Sequence, residues 1–178
     1  MRKVVLFIAM SLDGYIADAR GGVDWLRGHG EEEAADAYGR FIRDVDTIIM
    51  GWNTYRQVTT ELSPDEWVYH GRTTYVITHR QVPDGEEVRF VCEDPCRLVE
   101  TLRKEDGGVI WVCGGAAVIR ALAERDLIDE YDISVIPTLL GGGLRLFGDL
   151  TEERRLRLVR TETGDGILEA VYERRLPF

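Results

Sequence analysis

Between Val109 and Glu124 an apolar strand pattern runs without a break into Gly114-Gly115 and then into the alanine-rich Ala116-Ala117-Val118. Paired glycines let a backbone approach a ligand closely, and the N–H groups of a helix that follows face it with the positive end of the helix dipole. The chemistry this suits is the seating of a pyrophosphate. The same pair would also serve tight packing of strand on helix, since the segment is not the fuller Gly-x-Gly-x-x-Gly fingerprint.

Three further segments have compositions unusual for plain connectors. They are Ala9 to Ile16, which contains Ser11-Leu-Asp-Gly14; Gly51-Trp-Asn-Thr54; and Thr78-His-Arg80. Each follows a short apolar run with strand character, as does Cys113 to Val118. In open α/β sheets ligands bind beyond the carboxyl ends of the strands, so these loops together outline a binding cleft.

The elements that must position them alternate in type. Strands are predicted at Lys3–Met10, Thr47–Met50, Thr73–Thr78, Val88–Val91, from Val109, and at Ile128–Ile136. Helices are predicted at 31–44, from about Asn53, at 95–104 and after Gly115, with a polar, aromatic loop from Thr59 to Arg72. Arg155–Thr163 and Ile167–Arg175, joined by Gly164-Asp-Gly166, read as a terminal hairpin. The fold class expected is α/β: a three-layer sandwich with a mostly parallel sheet and an antiparallel edge.

A chain of 178 residues fits one domain, 1–178, and its formal net charge of −10 argues against a nucleic-acid partner. An anionic ligand must then be met by local cations, for which Arg80, Arg145 and the C-terminal arginines are candidates. The basic, apolar opening Met1–Met10 is too short for a signal peptide or a membrane span, and Asp13 and Asp18 follow it closely. Cys92, Cys96 and Cys113 lack metal-site spacing and read as free thiols in a reducing cytoplasm; no metal is expected. Glu31-Glu-Glu33 complements a helix start, and His29 and His70 fall in loops where both are expected to be exposed.

Ser11-Leu-Asp-Gly-Tyr-Ile-Ala17, Asp46-Thr-Ile-Ile-Met-Gly-Trp-Asn-Thr-Tyr55, Gly114-Gly115, and Leu127-Ile-Asp-Glu-Tyr-Asp-Ile-Ser-Val-Ile-Pro137 leading to Leu140-Gly-Gly-Gly-Leu-Arg-Leu-Phe147 follow one another in order. In that order and spacing the chain resembles the dihydrofolate reductase-like superfamily, and within it the reductase domain of bacterial riboflavin biosynthesis and its stand-alone relatives. The resemblance implies a reduced nicotinamide dinucleotide, usually NADPH, and hydride delivery to a C=N bond of a pyrimidine- or pterin-type heterocycle. By motif, Ala9 and Ile16 border the nicotinamide. Gly51, Trp52, Asn53 and Thr54, with Cys113, Gly114, Gly115, Ala116, Ala117 and Val118, hold the pyrophosphate and adenosine half. Thr78, His79 and Arg80 fall where the family contacts the adenosine ribose and its 2′-phosphate. Trp52 stands where the family commonly has Arg, which admits NADH as well. Ser11 and Ser134 are expected on the substrate side.

No catalytic acid stands out. Asp36 is the carboxylate nearest by spacing to the buried acid of folate-reducing relatives, yet it lies opposite the apolar stripe Ala34, Tyr38, Phe41 and Val45. Asp13 reads better as a residue capping its own turn. Alternatives are dihydrofolate reductase proper and a non-catalytic dinucleotide-binding sensor or partner module. Relatives of this kind form homodimers, and the apolar terminal hairpin is the surface expected to serve.

Overall fold

The computed structural model describes residues 1–29 and 31–175, with the backbone alone for 31–35. Its centre is an eight-stranded sheet built from β1 (Val4–Ser11), β3 (Val45–Gly51), β4 (Thr73–Ile77), β5 (Val88–Val91), β6 (Val109–Gly114), β7 (Glu130–Ile136), β9 (Leu156–Gly164) and β10 (Ile167–Arg174). The order across the sheet is β5-β4-β3-β6-β1-β7-β10-β9. The first six of these strands run parallel, and β10 and β9 close the edge antiparallel. A separate ribbon pairs β2 (Tyr15–Ala17) with β8 (Leu144–Arg145).

Parallel strands must be covered on both faces, so they carry nearly continuous apolar runs. Val4, Leu6, Ile49, Ile110 and Val112 pack under α3 (Pro95–Leu102) and α4 (Ala116–Glu124). On the other face, Val45, Ile48, Met50 and Trp111 meet Tyr38 and Phe41 of α1 (Glu31–Phe41) and the aromatic loop of Trp67 and Tyr69. Phe7 stacks on Phe41 with ring centroids 4.4 Å apart and stands edge-on to Trp111, whose indole N–H donates to the Phe7 carbonyl. The expected three layers are present.

The boundaries depart from the sequence reading most clearly at the first two helices. The first helix ends at Phe41, because Ile42–Asp44 tighten into a 3₁₀ turn that delivers Val45 directly into β3. The second, α2 (Trp52–Gln57), starts at Trp52 and passes into a wide π turn at Val58–Leu62, where an open loop from Thr59 was expected. The terminal hairpin forms as expected: Gly164 pairs with Ile167, and Asp165 and Gly166 both take positive φ, the combination an inverted two-residue turn demands. Its outer strand is not apolar on balance. Leu158 and Val159 are exposed among arginines and glutamates.

Candidate functional site

Two strand-to-helix turns meet at the carboxyl end of the sheet. Met50 of β3 lies beside Gly114 of β6, which sets the glycines beginning α2 and α4 against each other. A Cβ on Gly115 would stand 3.6 Å from the Gly51 Cα, and one on Gly114 would press to 3.3 Å from the Thr54 hydroxyl. Gly115 also has φ of 63° with ψ of 127°, a conformation closed to ordinary L residues. The two turns therefore pack closely, as one reading of the glycine pair has it.

Neither α2 nor α4 has a side-chain cap. The first helical bond of α4 runs from Ile119 N–H to the Gly115 carbonyl, so the N–H groups of Ala116, Ala117 and Val118 lie ahead of the ladder at the positive end of the dipole. Helix α3 differs. The Asp94 side chain accepts from Cys96 N–H, and Pro95 occupies the first turn.

Thr78 through Arg80 arrive beside this crossing from the end of β4. Thr78 is buried, and its hydroxyl accepts from Arg80 N–H at 3.1 Å. The Arg80 guanidinium lies 5.1 Å above the Trp52 ring, which also packs on Tyr55 and Phe90. Trp52 thus carries a cation on one face and core aromatics nearby. His79 turns toward β5, with Nδ1 3.1 Å from the Cys92 sulfur. Asn53 is exposed beside Trp52. Cys113 directs its thiol into the aromatic layer, 3.8 Å from the Tyr69 hydroxyl, and burial pushes its pKa up to about 12.

A cleft of 590 Å³ opens next to the end of β1, bordered by Ala9, Leu26, His29, Asp36, Ser134 and Glu169 among others. Strand register explains its floor: Ala9 of β1 pairs with Ser134 of β7, Ser134 with Glu169 of β10, and Glu169 with Glu162 of β9. Ile16 packs against the adjoining core. Ser134 therefore borders the cleft.

Ser11 does not. It is fully buried, donates to Asp13 Oδ1 at 2.6 Å and accepts from Tyr15 N–H at 3.0 Å, so its hydroxyl is committed to the loop and not to a ligand. Asp13 in turn accepts from Leu140 and Gly141 N–H groups, tying the β1 loop to the glycine-rich loop after β7 instead of capping only its own turn. These hydrogen bonds, that from Ser11 first, hold its carboxyl down at about 2. An acid ionised so firmly is a strut and a poor proton donor.

Other residues singled out in the sequence are placed as follows. His29 is not simply exposed: it borders the cleft, its Nε2 3.5 Å from the Thr138 hydroxyl. Asp36 reaches the cleft rim but is largely exposed and paired with Arg40. Arg145 lies 5.5 Å over the Tyr15 ring on the small ribbon. His70 is exposed as expected, against Glu87. Among the described residues no group of three or more His, Cys, Asp or Glu side chains could hold a metal, and no helix is long and apolar enough to cross a membrane.

Asp132 and Glu169 were missed by sequence reading. Both are buried acids on the cleft side of the sheet, and burial, followed by the Glu169 charge, raises the Asp132 carboxyl to about 7 against the pull of Arg160. The signal was present: Asp132 alternates with Ser134 and Ile136, and Glu169 with Val171, which places charges on an inward face.

A mostly parallel sheet with glycine-opened turns at its carboxyl ends and an antiparallel edge hairpin defines the dihydrofolate reductase-like α/β fold. A dihydrofolate reductase from Enterococcus faecalis, solved with NADP(H), superposes with a TM-score of 0.68 at 17% identity, over 97% of this chain and 96% of that one. The chain belongs to the RibD C-terminal domain family, whose model matches residues 2–168. A solved protein from Shewanella sp. PV-4, named provisionally for riboflavin biosynthesis, shares 32% identity with a TM-score of 0.85, over 98% of this chain and 99% of that one. The uncharacterised protein YwjB of Bacillus subtilis (strain 168) is 40% identical over 176 residues, 97% of this chain and 98% of its own length.

Proposed function

We propose that this protein is an NADPH-dependent reductase of a C=N bond in a pyrimidine- or pterin-type heterocycle, similar to the reductase of riboflavin biosynthesis. The observation that carries the reading is the crossing of two uncapped, glycine-opened turns with Arg80 at its margin. The residues present fit a dinucleotide: a side chain on Gly114 would press on the Thr54 hydroxyl at 3.3 Å, and Gly115 holds a positive φ that keeps side chains out of the turn. The N–H groups at the start of α4 hold the pyrophosphate, and Thr54 flanks them. Arg80, braced on Trp52, meets the 2′-phosphate, which favours NADPH over NADH.

When bound, the reduced dinucleotide supplies the hydride. Ala9 and Ile16 border its ring and Ala9 opens the sheet toward the substrate cleft, while Ser134 orients the polar edge of the heterocycle. The nitrogen takes its proton from water, since Asp13 is held ionised and Asp36 pairs with Arg40 at the rim. That exposure of Asp36 sets the protein apart from folate reductases with a buried acid on the first helix. The chain acts as a homodimer through the exposed apolar side chains of the terminal hairpin, Leu158, Val159 and Leu168. Its free thiols suit a reducing cytoplasm.

Titration with NADPH and NADH, followed by NADPH oxidation against a panel of pyrimidine and pterin imines, tests this. Micromolar NADPH binding with substrate-dependent oxidation is expected. Absence of binding to either dinucleotide at millimolar concentration would overturn the reading.

A further inference from the structure

The wall of the cleft beyond Ser134 is acidic and incompletely satisfied. Ala9, Ser134, Glu169 and Glu162 form one rank across β1, β7, β10 and β9, and Phe7, Asp132, Val171 and Arg160 form the next rank on the same face. Glu169 and Asp132 are only 8% and 5% exposed. Glu169 Oε1 and Asp132 Oδ1 are buried without a hydrogen bond among the described residues.

One guanidinium serves this group. Arg160 hydrogen-bonds Glu162 at 2.7 Å, forms an ion pair with Glu169 Oε1 at 3.0 Å that is out of line for a full hydrogen bond, and lies 3.5 Å from Asp132 Oδ2, leaving Asp132 Oδ1 with no partner among the described residues. Across the cleft, Arg40 is held by Asp36 and lies 3.4 Å from Glu162. Arg40 is the only lysine or arginine bordering the cleft among the described residues. Carboxylates here outnumber cations, and both cations are already paired.

A buried carboxylate oxygen that lacks a donor is costly unless a ligand brings one. A phosphate entering the cleft would face Glu169, Glu162 and Asp36 with no uncommitted arginine to receive it. A planar nitrogen edge with two adjacent N–H groups matches a carboxylate in the forked geometry of an arginine pair. We infer that Glu169 is a specificity-determining residue, and that the cleft selects an unphosphorylated ligand presenting an amidine-like or aminopyrimidine edge. The inference rests on the reductase reading for its choice of heterocycle. It departs from the riboflavin-pathway reductase, whose natural substrate carries a phosphate.

Calorimetric titration of the full chain with benzamidine, a planar amidinium at neutral pH, and with ribose 5-phosphate tests it without a known substrate. Wild type is expected to bind benzamidine and to ignore ribose 5-phosphate at the same concentration. Glu169→Gln is expected to weaken benzamidine about tenfold or more, and the exposed Glu162→Gln about threefold, as removal of a paired charge from a buried and a rim position should. Tighter binding of ribose 5-phosphate than of benzamidine, or benzamidine affinity unchanged in Glu169→Gln, overturns the inference. Should Glu169→Gln fail to fold, unchanged benzamidine affinity in Glu162→Gln overturns it instead. NADPH titration of the same samples separates the two readings: Glu169→Gln keeps the wild-type NADPH affinity, and a wild type that binds benzamidine but no dinucleotide refutes the reductase reading alone.

Discussion

Helices α3 and α4 pack side by side on one face of the sheet and begin in opposite ways. At α3 the chain satisfies its own helix start, with Asp94 bonded to Cys96 N–H and Pro95 placed where no donor is needed. At α4 a glycine of positive φ takes the cap position and no side chain closes the turn. Asp13 and Asp132 repeat the contrast among carboxylates. Asp13 collects donors from Ser11, Leu140 and Gly141, whereas Asp132 keeps a buried oxygen without one. Asp13 and Asp94, satisfied internally, hold the framework; the uncapped start of α4 lies at the glycine crossing, and the open oxygens of Asp132 and Glu169 lie on the cleft side of the sheet, where a ligand can approach.

The contrast can be broken most strongly at Ala117, an exposed residue in the first turn of α4. Ala117→Glu suits the helix dipole and preserves the fold, but its carboxylate opposes a pyrophosphate. NADPH affinity, read by tryptophan quenching, is expected to fall at least about a hundredfold with the melting temperature unchanged. Equal affinity would place the dinucleotide elsewhere.

Asp132→Asn sharpens the carboxylate half of the comparison. An acid whose folded pKa stands near 7, above an unfolded value near 3.8, destabilises the fold progressively as pH rises between those values, and fully above them. Removing the charge is expected to raise stability above pH 7 by on the order of 2 kcal/mol and to flatten the slope between the two values. A lower urea midpoint for the variant at pH 8 would contradict the assignment. Asp13 has the opposite sign: its contribution is present above its unfolded value and is lost as pH falls toward 2.

Arg80→Ala is expected to weaken NADPH about tenfold and NADH little, as loss of one charged contact to a dianion should. Equal losses measured by calorimetry would remove Arg80 from the 2′-phosphate. The smallest effect is expected at the closed helix: Asp94→Ala should cost about 1 kcal/mol in urea denaturation and leave NADPH binding alone. A change in NADPH affinity there would mean that the two helix starts are not functionally distinct.

Much of the fold was legible because its signals are local. Short β-branched runs such as Val109–Val112, bounded by glycines, read as strands covered on both faces, and Asp165-Gly166 specifies its hairpin within two residues. The glycine crossing was legible for the same reason, since the rule that ligands gather at strand carboxyl ends depends on strand direction alone. Thr78–Arg80 came to Trp52 on that basis. Of the residues misread or missed, Ser11 is closed within its own loop, while His29 and Glu169 depend on pairing between distant segments. Ser11 looked available until Asp13 and Tyr15 N–H closed around it. His29 meets the cleft only because Thr138 follows a strand more than a hundred residues later. Glu169 faces Ser134 through a register fixed by the terminal hairpin, and no window of sequence around either residue contains that pairing.

The most direct test of the account is one paired titration: NADPH into wild type and into Ala117→Glu, with folding checked by melting temperature. Micromolar binding to the wild type is expected, lost in a variant that melts at the same temperature. Equal binding in both, or none in either, would contradict the claim that the open start of α4 seats the dinucleotide.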